Sequence, residues 1–458
     1  MSFHFNNRYA RILKHSDINK SNVANKEWSE KKNYPTVISS TSYCVAPVLF
    51  DYVFWILQES QQKGIKRLYF LARDGFILYE ISKLIVQKYG LDVDCRYLYT
   101  SRFASRVPCY HIIGKSCLDF ICEKKLFNSL KTVLQNITLD SDEQQSLASL
   151  LGKDLSSACN SMDSNALENL KEECLQNSSF MESIYEKSKD SYEVTINYFR
   201  QEGLFDTVPA AFVDVGWRGT IQVFLNKLIN KSLPGFYFGL YTTDFLDNAN
   251  NEYYTYLFSS KTESNFVKFI FNNSLFECFC SAPHGMTIGY ENSDNEIVPV
   301  FSSKENFNSK RWILDEQIKL ILSYTENFLK VSTAYAVDKE TTIKLLKKLM
   351  NSPTKTEARI YGKYLFSDET NEKNLIPLAP PFTTREIIYS SFIPNKVVHE
   401  IFQILGIKAK TPVAYWRQGS LKNSKTLCFF KWWYSFYHFY HTKKHLSNFE
   451  KQHTENCK

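Results

Sequence analysis

Two short segments place the same kinds of residue in the same order. One is Arg67-Leu68-Tyr69-Phe70-Leu71-Ala72-Arg73-Asp74-Gly75; the other is Ala210-Ala211-Phe212-Val213-Asp214-Val215-Gly216-Trp217-Arg218-Gly219-Thr220. In each, an apolar run of strand length stops at an Asp, with an Arg beside it, a Gly behind it and an amphipathic helix to follow. A carboxylate so placed can hold Mg2+ or move a proton, and a guanidinium offers phosphate a planar fork. Asp74 and Asp214 are therefore candidate metal ligands and catalytic acids. Arg73, Gly75, Gly216, Arg218, Gly219 and Thr220 are candidate phosphate contacts, since the glycines would let backbone N–H groups and a helix N-terminus approach an anion. Glu277 and His284, from the segment Leu275–Gly285, add a candidate acid/base pair. Plainer readings stand beside these. Asp74 can also be read as a helix cap or a partner for Arg73, although an Arg-Asp-Gly triplet is more specific than a cap requires; Gly216 can be read as a turn residue and Trp217 as a plug at the sheet edge. Glu277 and His284, each taken alone, read as ordinary core or surface groups.

The elements that must carry these residues alternate between strand and helix. Apolar spacing predicts a helix over 42–62, a strand over 67–72, a helix over 76–88 and a second strand over 96–100, which together make one βαβ unit. From 111 to 205 strand patterning disappears, and a helical, cap-like insertion is expected. A strand at 210–215 then leads into a helix bearing Ile221, Phe224, Leu225, Leu228 and Ile229 on one face. Pro234-Gly235 turns the chain into a strand at 236–242. Beyond residue 300 the pattern is helical, over 312–328 and 341–350, with a proline-stiffened break at 375–382. The organisation expected is a polar segment 1–40, an α/β core over 41–110 and 206–300 split by the insertion, and a helical region 301–458. The fold class is α/β, an open parallel sheet of Rossmannoid type. Such sheets gather ligands at the carboxyl ends of their strands. Adjacent strands lie ~4.8 Å apart, so Asp74 and Asp214 on neighbouring strands could share one Mg2+.

The bulk composition is that of a globular chain: 458 residues, 44% hydrophobic and 22% charged, with 35 Phe and 28 Tyr to fill its core. The net charge of +7 is spread along the sequence, which argues against a nucleic-acid partner. Eleven cysteines without regular spacing, and no apolar leader, read as reduced thiols of a cytoplasmic protein. Gly114-Lys115-Ser116 lacks the first glycine and the leading strand of a phosphate loop. His438, His441 and His445 have helix-face spacing but read as surface residues. Residues 428–445 pack aromatic side chains between lysines, a composition suited either to peripheral contact with an anionic bilayer or to a terminal helix docked on the core.

At Tyr69–Gly75, Tyr97–Arg102, Val213–Thr220 with Gln222, and Phe276–Gly285, the chain resembles bacterial proteins filed as hydrolases of the haloacid dehalogenase (HAD) superfamily. These are met in capsule and O-antigen gene clusters, and the resemblance spans roughly residues 40–290. It implies a HAD-like core and a role in surface-polysaccharide assembly, at the cytoplasmic side or the inner face of the membrane. It also implies a phosphorylated sugar or lipid-linked sugar phosphate as ligand. Active members use a nucleophilic Asp with a second Asp two residues on. If Leu71–Gly75 is that first motif, Asp74 matches the second acid and Ala72 stands at the first; if it is the second motif, the phosphate-holding Ser/Thr is the missing group. In the last motif Arg218 replaces a further acid. Without that nucleophile an aspartyl-phosphate cannot form there. Two other functions therefore stay open: an inactive scaffold that positions a glycosyltransferase, and a metal-dependent glycosyltransferase using a nucleotide-sugar.

Overall fold

The computed structural model describes residues 8–30, 35–125, 128–155, 161–261, 265–309, 313–332, 335–367, 375–391 and 412–438, with residues 400 and 440. Five strands, β1 (Arg67–Leu71), β2 (Asp94–Leu98), β3 (Ala210–Asp214), β4 (Gly235–Gly239) and β5 (Tyr253–Phe258), form one parallel sheet. Their order is β2-β1-β3-β4-β5. The chain leaves β1 toward β2 on one side and returns through β3 on the other. The carboxyl ends of β1 and β3 thus flank the switch point, where doubly wound sheets open a crevice.

Strand alternation decides which residues face which layer. Leu68, Phe70, Ala211 and Val213 join the larger core with the helices Ala46–Gln62, Gly75–Tyr89 and Ile313–Val331. Tyr69, Leu71, Ala210 and Phe212 face the other way, toward Thr220–Ile229 and the end of the helix Ser178–Gln201. Both β1 and β3 are buried at every residue. That is why each reads as a continuous apolar run and not as an alternation.

The α/β class, the parallel sheet and the first four strands agree with the sequence reading; β2 starts at Asp94 instead of Arg96 and β4 ends at Gly239 instead of Thr242. Two features went unread. One is the edge strand β5. The other is an antiparallel hairpin, β6 (Thr287–Ser293) and β7 (Glu296–Phe301). Its two-residue loop, Asp294-Asn295, has φ of 45° and 72°, the geometry that a tight hairpin turn demands and that Asp and Asn tolerate. The hairpin braces the insertion: Tyr290 stacks on Tyr198 with ring centroids 4.2 Å apart. The insertion has its own apolar cluster, which starts at Phe103, so its helices begin about eight residues before the expected boundary at 111.

Described residues before β1 and beyond residue 375 pack on the same core as the sheet. Residues of the polar N-terminal segment form the helices Ala10–Ser16 and Ile18–Glu30. Lys20 enters the interior and bonds Asp51 at 2.8 and 3.1 Å. The helical stretch Pro35–Gln62 is long and apolar enough to cross a membrane, yet 89% of its apolar window is buried within the protein. Leu378 and Ala379, in the proline-stiffened break, are buried in the same core as the sheet.

Candidate phosphate and metal site

A cavity of about 670 Å3 opens at the carboxyl ends of β1 and β3. Of the ten residues singled out from the sequence, eight line it: Arg73, Asp74, Asp214, Gly216, Arg218, Gly219, Thr220 and Glu277. Gly75 and His284 do not. Gly75 sits beneath the turn, where a Cβ would lie 2.9 Å from the Phe70 carbonyl carbon, so it serves the packing of helix on strand. His284 is bonded at both ring nitrogens, 2.8 Å from Tyr97 Oη and 2.8 Å from the Gly285 carbonyl. Burial pushes its pKa down, and the nearby Arg73 adds to that. A neutral ring that donates to Gly285 and accepts from Tyr97 holds Tyr97 in place and contributes no group to the cavity.

The two strand-end turns hold their acids by local bonds. Both contain a non-proline cis peptide, Ala72–Arg73 and Gly216–Trp217. Asp74 occupies the cap position of Gly75–Tyr89 but makes no side-chain capping bond, so the helix-cap reading of this residue falls. Asp214 accepts from the Val215 N–H at 2.8 Å, and the Gly216 amide also bonds its carboxylate. Its own carbonyl is pinned by Tyr52 Oη at 2.6 Å. Gly216 has φ +141°, and a Cβ there would meet the Gly239 carbonyl oxygen at 2.1 Å. Only glycine lets β3 turn this close to β4. The Gly216 amide is thus spent on Asp214, and anion contact from this turn falls to Thr220, Arg218 and the start of the helix Thr220–Ile229.

Trp217 joins the third segment to the second. Its ring packs between Phe258, Phe271 and Phe276, and its Nε1 donates to Glu277 Oε1. Glu277 projects from the helix Asn273–Cys280 into the cavity, and Asp214 and Asp74 share its field. Burial, then the charge of Asp74, raises the Asp214 carboxyl to about 8, against the Val215 and Gly216 amides. The same two causes raise Glu277 to about 8. Three carboxyls that oppose one another's ionisation in this way are what a bound cation or a shared proton would relieve.

Four residues of the site were given no role from the sequence, although Thr100 and Arg102 lie in the Tyr97–Arg102 motif. Thr100, Arg102 and Arg106 line the cavity beyond the end of β2, and Glu123 reaches the cluster from the insertion. Glu123 bonds Arg106 at 3.0 Å and also bonds Arg218. Burial would raise its pKa, but Arg106, Arg218 and Arg102 together bring it down to about 2. Arg102 was within reach of the strand-end rule applied at β1 and β3. Glu123 had no such signal.

All-oxygen donors suit Mg2+, which keeps several waters and needs only one or two carboxylates beside a substrate phosphate. Asp74 and Asp214, beyond the end of β1 and at the end of its neighbour β3, are the carboxylates that would supply them. Among the described residues no three His, Cys, Asp or Glu side chains gather as a closed metal site. Compared with known proteins, the chain matches no family model, and no curated protein matches it.

Proposed function

We propose that the cavity binds the phosphate group of a phosphorylated sugar or a lipid-linked sugar phosphate, in a HAD-like protein of bacterial surface-polysaccharide assembly. One observation carries the reading: two strand-end acids and their arginines meet in a single cavity at the β1/β3 switch point. The resemblance of the Tyr69–Gly75 and Val213–Thr220 motifs supports the biological setting. Mg2+, held by Asp74 and Asp214, would supply charge neutralisation at the phosphoryl oxygens. Arg73 and Arg218 orient those oxygens, and burial, the larger cause of its raised pKa, favours the protonated form of Glu277.

The reaction this arrangement supports is hydrolysis of a phosphate ester. Water attacks phosphorus, the bond to the leaving oxygen breaks, and Glu277 protonates that oxygen and regains a proton from the water. Ala72 offers no carboxylate for a covalent route. Phosphate release from sugar phosphates is the direct assay. Glu277→Gln is expected to lower turnover at least about a hundredfold while ligand still binds. Unchanged turnover would remove Glu277 from the chemistry, and a wild-type protein that binds without turnover would favour the scaffold.

The C-terminal helix supports a peripheral membrane position. Tyr434 packs against Phe382, Ile387 and Leu421, so one face is docked. On the other, Leu427, Phe429, Trp432, Phe436 and Tyr440 are each 50–71% exposed. The two readings of this segment thus describe opposite faces of one helix. Residues 439 and 441–445, with His441 and His445, lie outside the described residues. The protein is expected to co-sediment with vesicles containing phosphatidylserine, and Trp432→Ser with Phe436→Ser to abolish it. Equal sedimentation of wild type and double variant would discard this contact.

A further inference from the structure

The cavity carries more positive charge than one phosphate requires. Arg102 and Arg106 lie one helical turn apart on Arg102–Arg106, and Arg218 stands in the turn after β3. Glu123 is the acid that bonds Arg106 and Arg218. Three guanidiniums around one carboxylate leave an excess of positive charge on this wall. The Arg102 guanidinium has no hydrogen-bond or ion-pair partner among the described residues, and its charge acts on Asp214 and Glu277 as well as on Glu123. It therefore stands between the acidic floor and the arginine wall. Arg106 is 3% exposed, and its Nε has no acceptor in the protein. A buried charged N–H without a partner is costly, and the guanidinium that carries it belongs to the cavity lining, where an anion would offset its charge.

We propose that Arg102, Arg106 and Arg218 form a second anion subsite, which receives a second phosphate of the same ligand. The inference rests on the phosphate reading above and narrows its substrate class to a diphosphate ester. One phosphate lies at Asp74 and Asp214, and the next lies against the arginines. Glu123 acts as a positioning residue that holds Arg106 and Arg218 in register. A diphosphate joined to a nucleoside and one joined to a lipid share this chemistry. The volume of about 670 Å3 far exceeds a single phosphate group and lies in the ordinary range for a small-molecule site.

Calorimetric titration with inorganic phosphate and inorganic pyrophosphate, each in excess Mg2+, tests the subsite. Wild type is expected to bind pyrophosphate at least about tenfold more tightly, or about 1.4 kcal/mol. Arg102→Gln is expected to erase that preference and leave phosphate affinity nearly unchanged, whereas Arg218→Gln, which also touches the first phosphate, is expected to weaken both anions. Arg102 makes no bond that folding needs, so its variant should fold. Equal binding of the two anions by wild type overturns the second subsite alone, as does an equal loss of both anions in the Arg102 variant. Failure of wild type to bind either anion overturns the phosphate reading along with it. Uridine diphosphate and farnesyl diphosphate, titrated next, identify the source by which binds more tightly.

Discussion

Glu123→Ala is expected to destabilise the protein by about 3–5 kcal/mol at neutral pH, the usual consequence of stripping a buried charge of its partner. The Glu123 side chain is 15% exposed and Arg106 is 3% exposed, so solvent cannot replace the lost contact. The expected pH dependence has a definite sign. Folding lowers the Glu123 carboxyl from 4.5 to about 2 because three arginines surround it. Between those values the unfolded chain binds the extra proton. The stabilisation is therefore fully present above about pH 5 and lost as pH falls toward 2. A shift of that size corresponds to ~3 kcal/mol. Urea unfolding of wild type and variant should show a gap at pH 7 that shrinks by pH 3. A gap below about 1 kcal/mol at pH 7 would mean that the bridge behaves like an exposed surface pair.

The same bridge joins the insertion to the sheet. Glu123 belongs to the helical insertion, while Arg218 follows β3. Loss of the bridge should loosen the cavity wall as well as lower stability, because Arg218 is 46% exposed and its guanidinium is left with the Phe245 ring, 4.8 Å from the centroid, in place of an ion pair.

How much of this was legible in the sequence depends on range. β1 and β3 were readable because central parallel strands are buried on both faces and so are apolar at every position. The helix Thr220–Ile229 was readable because one face of it meets the sheet. The strand-end rule then located Asp74 and Asp214 without any knowledge of contacts. Glu277 could be named but not placed, because its entry into the cavity depends on Trp217, 60 residues away in sequence. His284 looked equivalent on paper, and only its two hydrogen-bonded nitrogens tell it apart. The edge strand β5 is half-exposed at four of its six residues and lost its signal to that mixture. The hairpin β6–β7 was within reach, since Asp294-Asn295 between two β-rich runs is a recognisable turn. The folded N-terminal segment was not, because its anchor is a buried Lys20–Asp51 pair between residues that sequence patterning assigns to the surface.

The central claim is that Asp74 and Asp214 form one phosphate–metal site at the β1/β3 switch point. Thermal unfolding with Mg2+ and a panel of phosphosugars tests it most directly. A ligand at a hundred times its dissociation constant adds ~2.7 kcal/mol of stability. Wild type should show the corresponding rise in Tm with Mg2+ and lose it with chelator. Asp74→Asn and Asp214→Asn should each fold, since asparagine keeps the side-chain shape, yet show no rise with any ligand. A rise of the same size in both variants, or none in wild type across the panel, would contradict the account.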